Sequence, residues 1–228
     1  MKLKVITVLI LIVIAFGVFS SPNSDNASNN VLGSDNKGFV TKEIYSNPNA
    51  SGPKIAVVTG MHPREITAKN VVPDVLKDYT SNHNIEIINY HVNVTDQPGD
   101  FKIGRQNGEG LVARYVVSDI AKSNYSLVII CHNHVQGYGE GYYIATPTMD
   151  DKSINLAQST HNLLPDFNYY QRNVKTAPEQ SSINAVDYPI VATGTPVFVY
   201  EIPGLDGYDD VFNNTNRLID SVFKITAK

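Results

Sequence analysis

The chain has 228 residues, of which 42% are hydrophobic, and its formal net charge is −4. This length and composition suit one globular domain with a sizeable core. The acidic balance argues against a nucleic-acid-binding protein, and a single cysteine excludes a disulfide framework, a cysteine-rich zinc site and a CxxC redox pair.

The first segment of the chain is basic and then apolar. Lys2 and Lys4 precede a fifteen-residue apolar run over 5–19. The run is shorter than the ~20 residues that span a bilayer comfortably, so residues 1–20 are predicted to be an export signal. The small-residue cleavage pattern is imperfect, and a retained membrane anchor is the alternative. Either way, we expect the rest of the protein outside the cytoplasm, secreted or tethered, with membrane contact only through this segment.

Residues 21–38 are mostly Asn, Ser, Asp and Gly. Such a segment buries too little apolar surface to offset the entropy of ordering it. The composition therefore predicts a disordered polar linker over 21–38 and one folded domain over 39–228.

Strand and helix patterns alternate through that domain. Continuous apolar runs predict strands at 54–59, 85–94, 127–131 and 196–202, and 142–145 is predicted as an edge strand. Helical periodicity is found at 66–76, 111–121, 154–164 and 209–225. This alternation predicts an α/β fold with a mostly parallel sheet flanked by helices.

Chemistry-bearing side chains follow three of these strands. His62 and Glu65 come after the first, His132 comes directly after the strand at 127–131, and Glu201 lies near the end of the last. Because ligands gather at the carboxyl ends of parallel strands, these groups are expected to converge. Two imidazoles and one carboxylate can bind Zn²⁺ and leave a position for water, while a further carboxylate moves the proton. We therefore predict one Zn²⁺ per chain on His62, Glu65 and His132, with Glu201 as the general base.

Each residue also has a simpler explanation. His62 could cap the following helix, with Glu65 favoured at the helix N-terminus. His132 could be an ordinary buried histidine, and Glu201 could form an ion pair with a nearby arginine because an unpaired buried charge is costly. The placement of all of them at strand ends favours the metal site.

The motifs MHPRE, CHNH and VYEIPG, in this order, resemble the zinc metallocarboxypeptidase superfamily, and most closely its succinylglutamate desuccinylase/aspartoacylase branch. The resemblance covers about residues 40–228. It implies a three-layer αβα fold and a zinc hydrolase that cleaves an amide bond beside a carboxylate. By position, His62, Glu65 and His132 match the zinc ligands, and Glu201 matches the catalytic carboxylate.

The remaining site residues are assigned by the same resemblance. His132 is favoured over His134 as the third ligand, which leaves His134 to contact substrate or to support one of the ligands. Arg105 lies where the family keeps an Asn-Arg pair that grips a substrate carboxylate, and Asn107 is the candidate for that Asn. A surface arginine in a Gly-rich loop is the alternative for Arg105. Tyr138, Tyr142 and Tyr143, in GYGEGYY, are amphipathic candidates for the mouth of the site, and Tyr142 is taken as the substrate-binding residue. The alternative is that all three are ordinary loop and strand residues.

One departure from the family pattern is the missing acid before the strand-end histidine, where Ile130 and Cys131 stand. A carboxylate that orients a ligand must therefore come from elsewhere in the chain or be missing. The predicted function is hydrolysis of a peptide or an N-acylated, amino-acid-like substrate with a free carboxylate. The alternative is a non-catalytic module outside the cytoplasm that binds a metal or a carboxylate.

Overall fold

The fold is described from a computed structural model of residues 27–176 and 181–227. The predicted export signal, residues 1–20, lies outside these ranges. Within them, no helix has both the length and the apolar character needed to cross a bilayer.

Eight strands form one mixed sheet in the order β1-β2-β4-β3-β5-β8-β6-β7. The central strands β4, β3, β5 and β8 are parallel to one another, while β1, β2 and β6 each pair antiparallel to a neighbour. The strands are β1 (Ala27–Asp35), β2 (Gly38–Ser46), β3 (Lys54–Thr59), β4 (Glu86–Val94), β5 (Leu127–His134), β6 (Tyr143–Thr146), β7 (Asn168–Gln171) and β8 (Val197–Pro203).

Helices cover both faces of the sheet. They are α1 (Ile66–Asn82), α2 (Phe101–Leu111), α3 (Val117–Ile120), α4 (Asp151–Leu163), α5 (Tyr188–Ala192) and α6 (Tyr208–Thr226), with π-helical segments π1 (Val112–Val116) and π2 (Ile183–Asp187). One apolar core joins α1, α4 and α6 to the sheet, and a second joins α2, π1, α3, π2 and α5 to the opposite face. The predicted three-layer α/β fold is confirmed.

The sequence located the central strands well and missed several of the elements around them. The strand predicted at 54–59 matches β3, and the predictions for β4 and β8 are within one residue at each end. The segment at 142–145 is not an edge strand, because β7 covers β6 on its outer side. The Gly-rich segment after Asp100, for which a loop was the alternative, is helix α2. Asp100 caps this helix by accepting hydrogen bonds from two backbone N–H groups.

The prediction of a disordered linker is wrong over Ala27–Asp35, which forms strand β1. This strand pairs with β2 along its length, and the Tyr115 hydroxyl donates a hydrogen bond to the Ser34 carbonyl at 2.8 Å. An edge strand gains its order from backbone hydrogen bonds to its neighbour, so it needs few apolar side chains. Composition therefore did not reveal it.

Gly108 on α2 allows the helix to approach the loop that contains His62. A Cβ at Gly108 would lie 1.7 Å from the Met61 carbonyl oxygen, whereas a Cβ at Gly110 would meet only the Lys37 Nζ at 3.8 Å. We expect Gly108→Ala to lower the free energy of unfolding by about 1–3 kcal/mol. Gly110→Ala is the matched control and should be neutral or stabilising by up to about 1 kcal/mol. Urea unfolding of both variants checks this, and equal stabilities would contradict it.

Candidate active site

His62 and Glu65 lie in a tight turn between β3 and α1. The Glu65 backbone N–H donates to the His62 carbonyl oxygen at 3.0 Å, and α1 begins only at Ile66, with Glu65 as its N-cap residue. The chain turns immediately after β3 because Gly60 adopts a φ of +74°. The sequence placed the pair at the top of the helix. A turn that joins positions i and i+3 brings the side chains of His62 and Glu65 together as well as the first turn of a helix would.

The three predicted metal ligands converge on one point. One nitrogen from each histidine and one Glu65 oxygen lie within 4.8 Å of one another. Nδ1 of His62 is 2.9 Å from Glu65 Oε1, and Nδ1 of His132 is 2.6 Å from Glu65 Oε2. The two imidazole rings stack with centroids 4.2 Å apart. Two imidazole nitrogens and a carboxylate are a donor set that suits Zn²⁺, so the residues fit the predicted ion.

Sequence reasoning missed Glu109, which orients His62. This carboxylate is buried on α2, and its Oε1 lies 3.3 Å from Nε2 of His62, on the ring edge away from Glu65. Histidines that bind metals commonly donate their second N–H to a carboxylate, which fixes the ring and its tautomer. Glu109 thus supplies the carboxylate that the sequence lacked before His132. The available signal was its position four residues after Arg105, on one helix face.

Electrostatics keep Glu65 ionised. Burial alone would raise the pKa of its carboxyl group, but the adjacent His132 and His62 outweigh burial and hold the pKa well below its usual range. Burial alone would lower the pKa of His62, yet its hydrogen bonds to Glu109 and Glu65 leave that pKa raised. The turn therefore presents an anionic carboxylate between two imidazoles.

Glu201 lines the same cavity as the three predicted metal ligands. It lies near the end of β8, in register with His132 on the adjacent strand β5. Its Oε2 is shielded from solvent and has no hydrogen-bond partner in the described part of the chain. Burial raises the pKa of this carboxyl group to about 7. A carboxyl group with a pKa near neutrality is suited to accept a proton and return it.

This raised pKa predicts how the metal-free protein responds to pH. The folded protein holds the Glu201 proton more tightly than the unfolded chain, whose ordinary pKa is 4.5. This tighter proton binding stabilises the folded state by up to about 3 kcal/mol. The stabilisation is fully present below about pH 4.5 and is lost as the pH rises through about 7. We expect Glu201→Gln to remove this part of the pH dependence in urea unfolding between pH 5 and 8 with chelator present. Equal slopes for the wild type and the variant would refute it.

Two arginines, Arg64 and Arg105, lie beside the three predicted metal ligands. The guanidinium of Arg105 donates a hydrogen bond to Glu65 Oε1 at 3.2 Å. Its carbon Cζ lies 5.3 Å from the ring centre of Phe101, and that of Arg64 lies 5.8 Å from the same ring. Phe101 is 64% exposed, so its ring contributes little to the core and instead supports both guanidinium groups. The arrangement presents positive charge to an incoming carboxylate.

A cavity of about 1040 Å³ connects these groups. Its lining includes His62, Glu65, His132, Glu201 and Arg105. Apolar and aromatic side chains also line it: Ile66, Phe101, Val135, Tyr138, Tyr143, Tyr170 and Val199. A cavity of this volume accommodates a ligand larger than a single amino acid.

Three predicted substrate-binding residues have other surroundings. His134 lines the cavity, but its Nε2 lies 2.9 Å from the Gly141 carbonyl oxygen, and the residue is not in the donor set. Asn107 lies outside the cavity lining, and its side-chain amide donates to the Asp96 backbone oxygen at 3.0 Å. Tyr142 packs in the core on the opposite face of the sheet. The assignment moves to its neighbour Tyr143, since successive side chains on a strand alternate between faces.

Comparisons with known proteins relate the fold of this chain to solved structures. Neither a protein-family model nor a curated protein matches the sequence. A metallo-carboxypeptidase from Burkholderia cenocepacia matches the structure with a TM-score of 0.63 at 12% identity, covering 89% of this chain and 65% of that one. The described chain has the metallo-carboxypeptidase fold. The product-bound cell shape determinant protein Csd4 from Helicobacter pylori matches with a TM-score of 0.57 at 12% identity.

The relatives are longer than this chain. The match covers 82% of this chain but 55% of Csd4, both in the product-bound structure and in the tripeptide-bound structure, which has a TM-score of 0.58 and 13% identity. The chain thus spans between about half and two thirds of the length of these proteins.

Proposed function

We propose that this protein is a zinc-dependent hydrolase that cleaves an amide or peptide bond beside a free carboxylate. The observation that most supports this is the joint placement of His62, Glu65 and His132 on one cavity with Glu201, whose Oε2 has no hydrogen-bond partner in the described part of the chain. The tripeptide-bound Csd4 structure is consistent with a peptide as substrate for this fold.

In this proposal, each residue has a distinct task. His62, Glu65 and His132 hold the ion, which when bound polarises a carbonyl group and makes water more acidic. Glu201 accepts a proton from the attacking water and delivers it to the leaving amine. Arg105 binds the substrate carboxylate or the developing negative charge on the carbonyl oxygen. Glu109 keeps the ring of His62 in the orientation that presents Nδ1 to the ion.

A non-catalytic binding module is the weaker candidate. In such a module, Glu201 is expected to form an ion pair that turns it away from the metal ligands. In the described part of the chain its Oε2 has no hydrogen-bond partner. Glu109 also places a carboxylate against His62, as expected for a residue that orients a metal ligand.

The experiment that tests this function compares two peptides. N-acetylated dipeptides with a free C-terminal carboxylate are incubated with the zinc-supplied protein. The same dipeptides with an amidated C-terminus are incubated in parallel. We expect hydrolysis of the free acids, little of the amides, loss of activity with chelator and recovery with added zinc. One bound zinc per chain without hydrolysis of any such peptide would leave the binding module as the function.

The location of the protein is a separate proposal. We propose that residues 1–20 direct the domain out of the cytoplasm, where peptides or cell-envelope cross-links are the candidate substrates. Its support is the basic and then apolar order of the first residues. Fractionation of cells that express the full chain tests it, and recovery of the domain in the cytoplasm would refute it.

A further inference from the structure

Asn133 lies between the two histidines at the end of β5 and contacts the turn that carries Glu65. Its side-chain oxygen Oδ1 accepts a hydrogen bond from the Ala68 backbone N–H at 2.8 Å. Its own backbone N–H donates to Glu65 Oε2 at 3.3 Å. Two hydrogen bonds from one residue therefore join the end of β5 to the start of α1, although Asn133 and Glu65 are 68 residues apart in the chain.

The bond to Ala68 caps helix α1 from another element of the fold. The first four N–H groups of a helix have no partner within it. The side chain of the N-cap residue usually accepts from the second or third residue that follows. In α1 the N-cap residue is Glu65, whose side chain makes no such bond. Asn133 supplies the missing acceptor, because Ala68 is the third residue of the helix.

The carboxylate of Glu65 is directed at the predicted metal ligands instead of at its own helix. Its Oε1 lies 2.9 Å from Nδ1 of His62, and its Oε2 lies 2.6 Å from Nδ1 of His132. A carboxylate that turned back to cap α1 would give up these positions. With the cap supplied by Asn133, the helix start is satisfied while Glu65 remains between the two imidazoles.

An amide suits this position better than an acid would. Asp caps helices as well as Asn does, but a carboxylate here would add a second negative charge beside Glu65. The amide has a cost, because Nδ2 of Asn133 is shielded from solvent and has no hydrogen-bond partner among the described residues. A buried donor without a partner is destabilising, so stability alone does not account for Asn133.

We propose that Asn133 is a positioning residue: by capping α1 in place of Glu65, it holds the Glu65 carboxylate toward the two histidines of the zinc site. This inference rests on the proposed function and adds to it a residue that is not itself in the donor set. Its task is parallel to that of Glu109, which orients His62.

The first test measures amide hydrogen exchange in the metal-free protein by NMR. We expect Asn133→Ala to speed exchange at Ala68 by at least about 5-fold, since this N–H loses its partner. Asn133→Asp keeps an acceptor and should retain the protection. Ser153→Ala is the matched control. The buried Ser153 Oγ accepts from the Val197 N–H at 2.9 Å, at the opposite end of β8 from Glu201. This variant loses a comparable bond and should leave Ala68 unchanged.

The second test measures zinc affinity of folded preparations by competition with a chromophoric chelator. We expect Asn133→Ala to weaken binding by about 10- to 100-fold, whereas Asn133→Asp should stay within a few-fold of the wild type. Ser153→Ala should bind zinc as the wild type does. If Asn133→Ala does not fold, Asn133→Gln takes its place, because its amide oxygen lies one carbon further from the backbone. A purely structural role would lower stability without changing the zinc affinity of the folded protein.

Three results would overturn the positioning role. Unchanged exchange at Ala68 in Asn133→Ala would show that the cap is absent. Faster exchange with wild-type zinc affinity would show that the cap does not position Glu65. A loss of affinity in Asn133→Asp as large as in Asn133→Ala would show that the acceptor is not what matters.

The same measurements separate this inference from the proposed function. A wild type that binds no zinc would refute both the positioning role and the hydrolase. A wild type that binds zinc without hydrolysing any peptide would refute the hydrolase alone. In that case, weaker zinc binding in Asn133→Ala that is restored in Asn133→Asp would still support the positioning role.

Discussion

Glu201→Gln is expected to lower kcat by between about 10²- and 10⁴-fold while the protein still binds one zinc per chain. Glutamine keeps the shape of the side chain but cannot accept the proton of the attacking water. Because Glu201 is outside the donor set of His62, Glu65 and His132, metal content should be unchanged. Steady-state kinetics on a free-acid dipeptide and elemental analysis of the same preparation measure the two quantities.

The matched control for this variant is Glu86→Gln. Glu86 lies at the start of β4, at the opposite end of the sheet, where it forms an ion pair with Lys54 at 2.8 Å. This control should retain full activity. Undiminished turnover in Glu201→Gln would refute the role of Glu201. Loss of zinc together with activity would instead show that Glu201 helps to hold the ion.

His132→Ala is expected to weaken zinc binding by more than about 100-fold, since even loss of a group that only supports a ligand costs 10- to 100-fold. His132 lies with Nδ1 2.6 Å from Glu65 Oε2 and supplies one of three donors. Elemental analysis after dialysis, followed by competition with a chromophoric chelator, gives the metal content and the affinity.

His134→Ala is the matched control, two residues further along the same strand. Its Nε2 lies 2.9 Å from the Gly141 carbonyl oxygen, so we expect the variant to keep its zinc while it loosens the loop that follows β5. If His134→Ala lost the ion and His132→Ala retained it, the assignment of the third ligand would have to be exchanged between the two histidines.

The sequence predicted the strands that position the site where continuous apolar runs gave a strong local signal. The runs 54–59 and 127–131 are apolar throughout, so they could be recognised as buried parallel strands without knowledge of their neighbours. Strand β5 continues through His134, beyond its predicted end at Cys131, because its polar last residues still pair with β8. Pairing between strands, unlike hydrophobicity, leaves no mark on a single segment.

Errors occurred where the choice depended on partners distant in sequence. Tyr142 and Tyr143 are adjacent tyrosines, so residue type cannot distinguish them. Only the packing of β6 against β8 decides which one faces the cavity. Strand β1 is polar and is ordered by its pairing with β2. The glycines of α2 suggested a loop, but at Gly108 they permit contact with Met61.

The sequence by itself determined the α/β architecture and the donor trio with its adjacent carboxylate, because parallel strands deliver their following residues to one edge of a sheet. Only the tertiary structure decided which helix side chains surround that centre. Glu109 reaches His62 from α2, and Asp187 enters the cavity from π2. The physical reason is that the rotation and depth of a helix are set by packing against the sheet, which involves residues far apart in the chain.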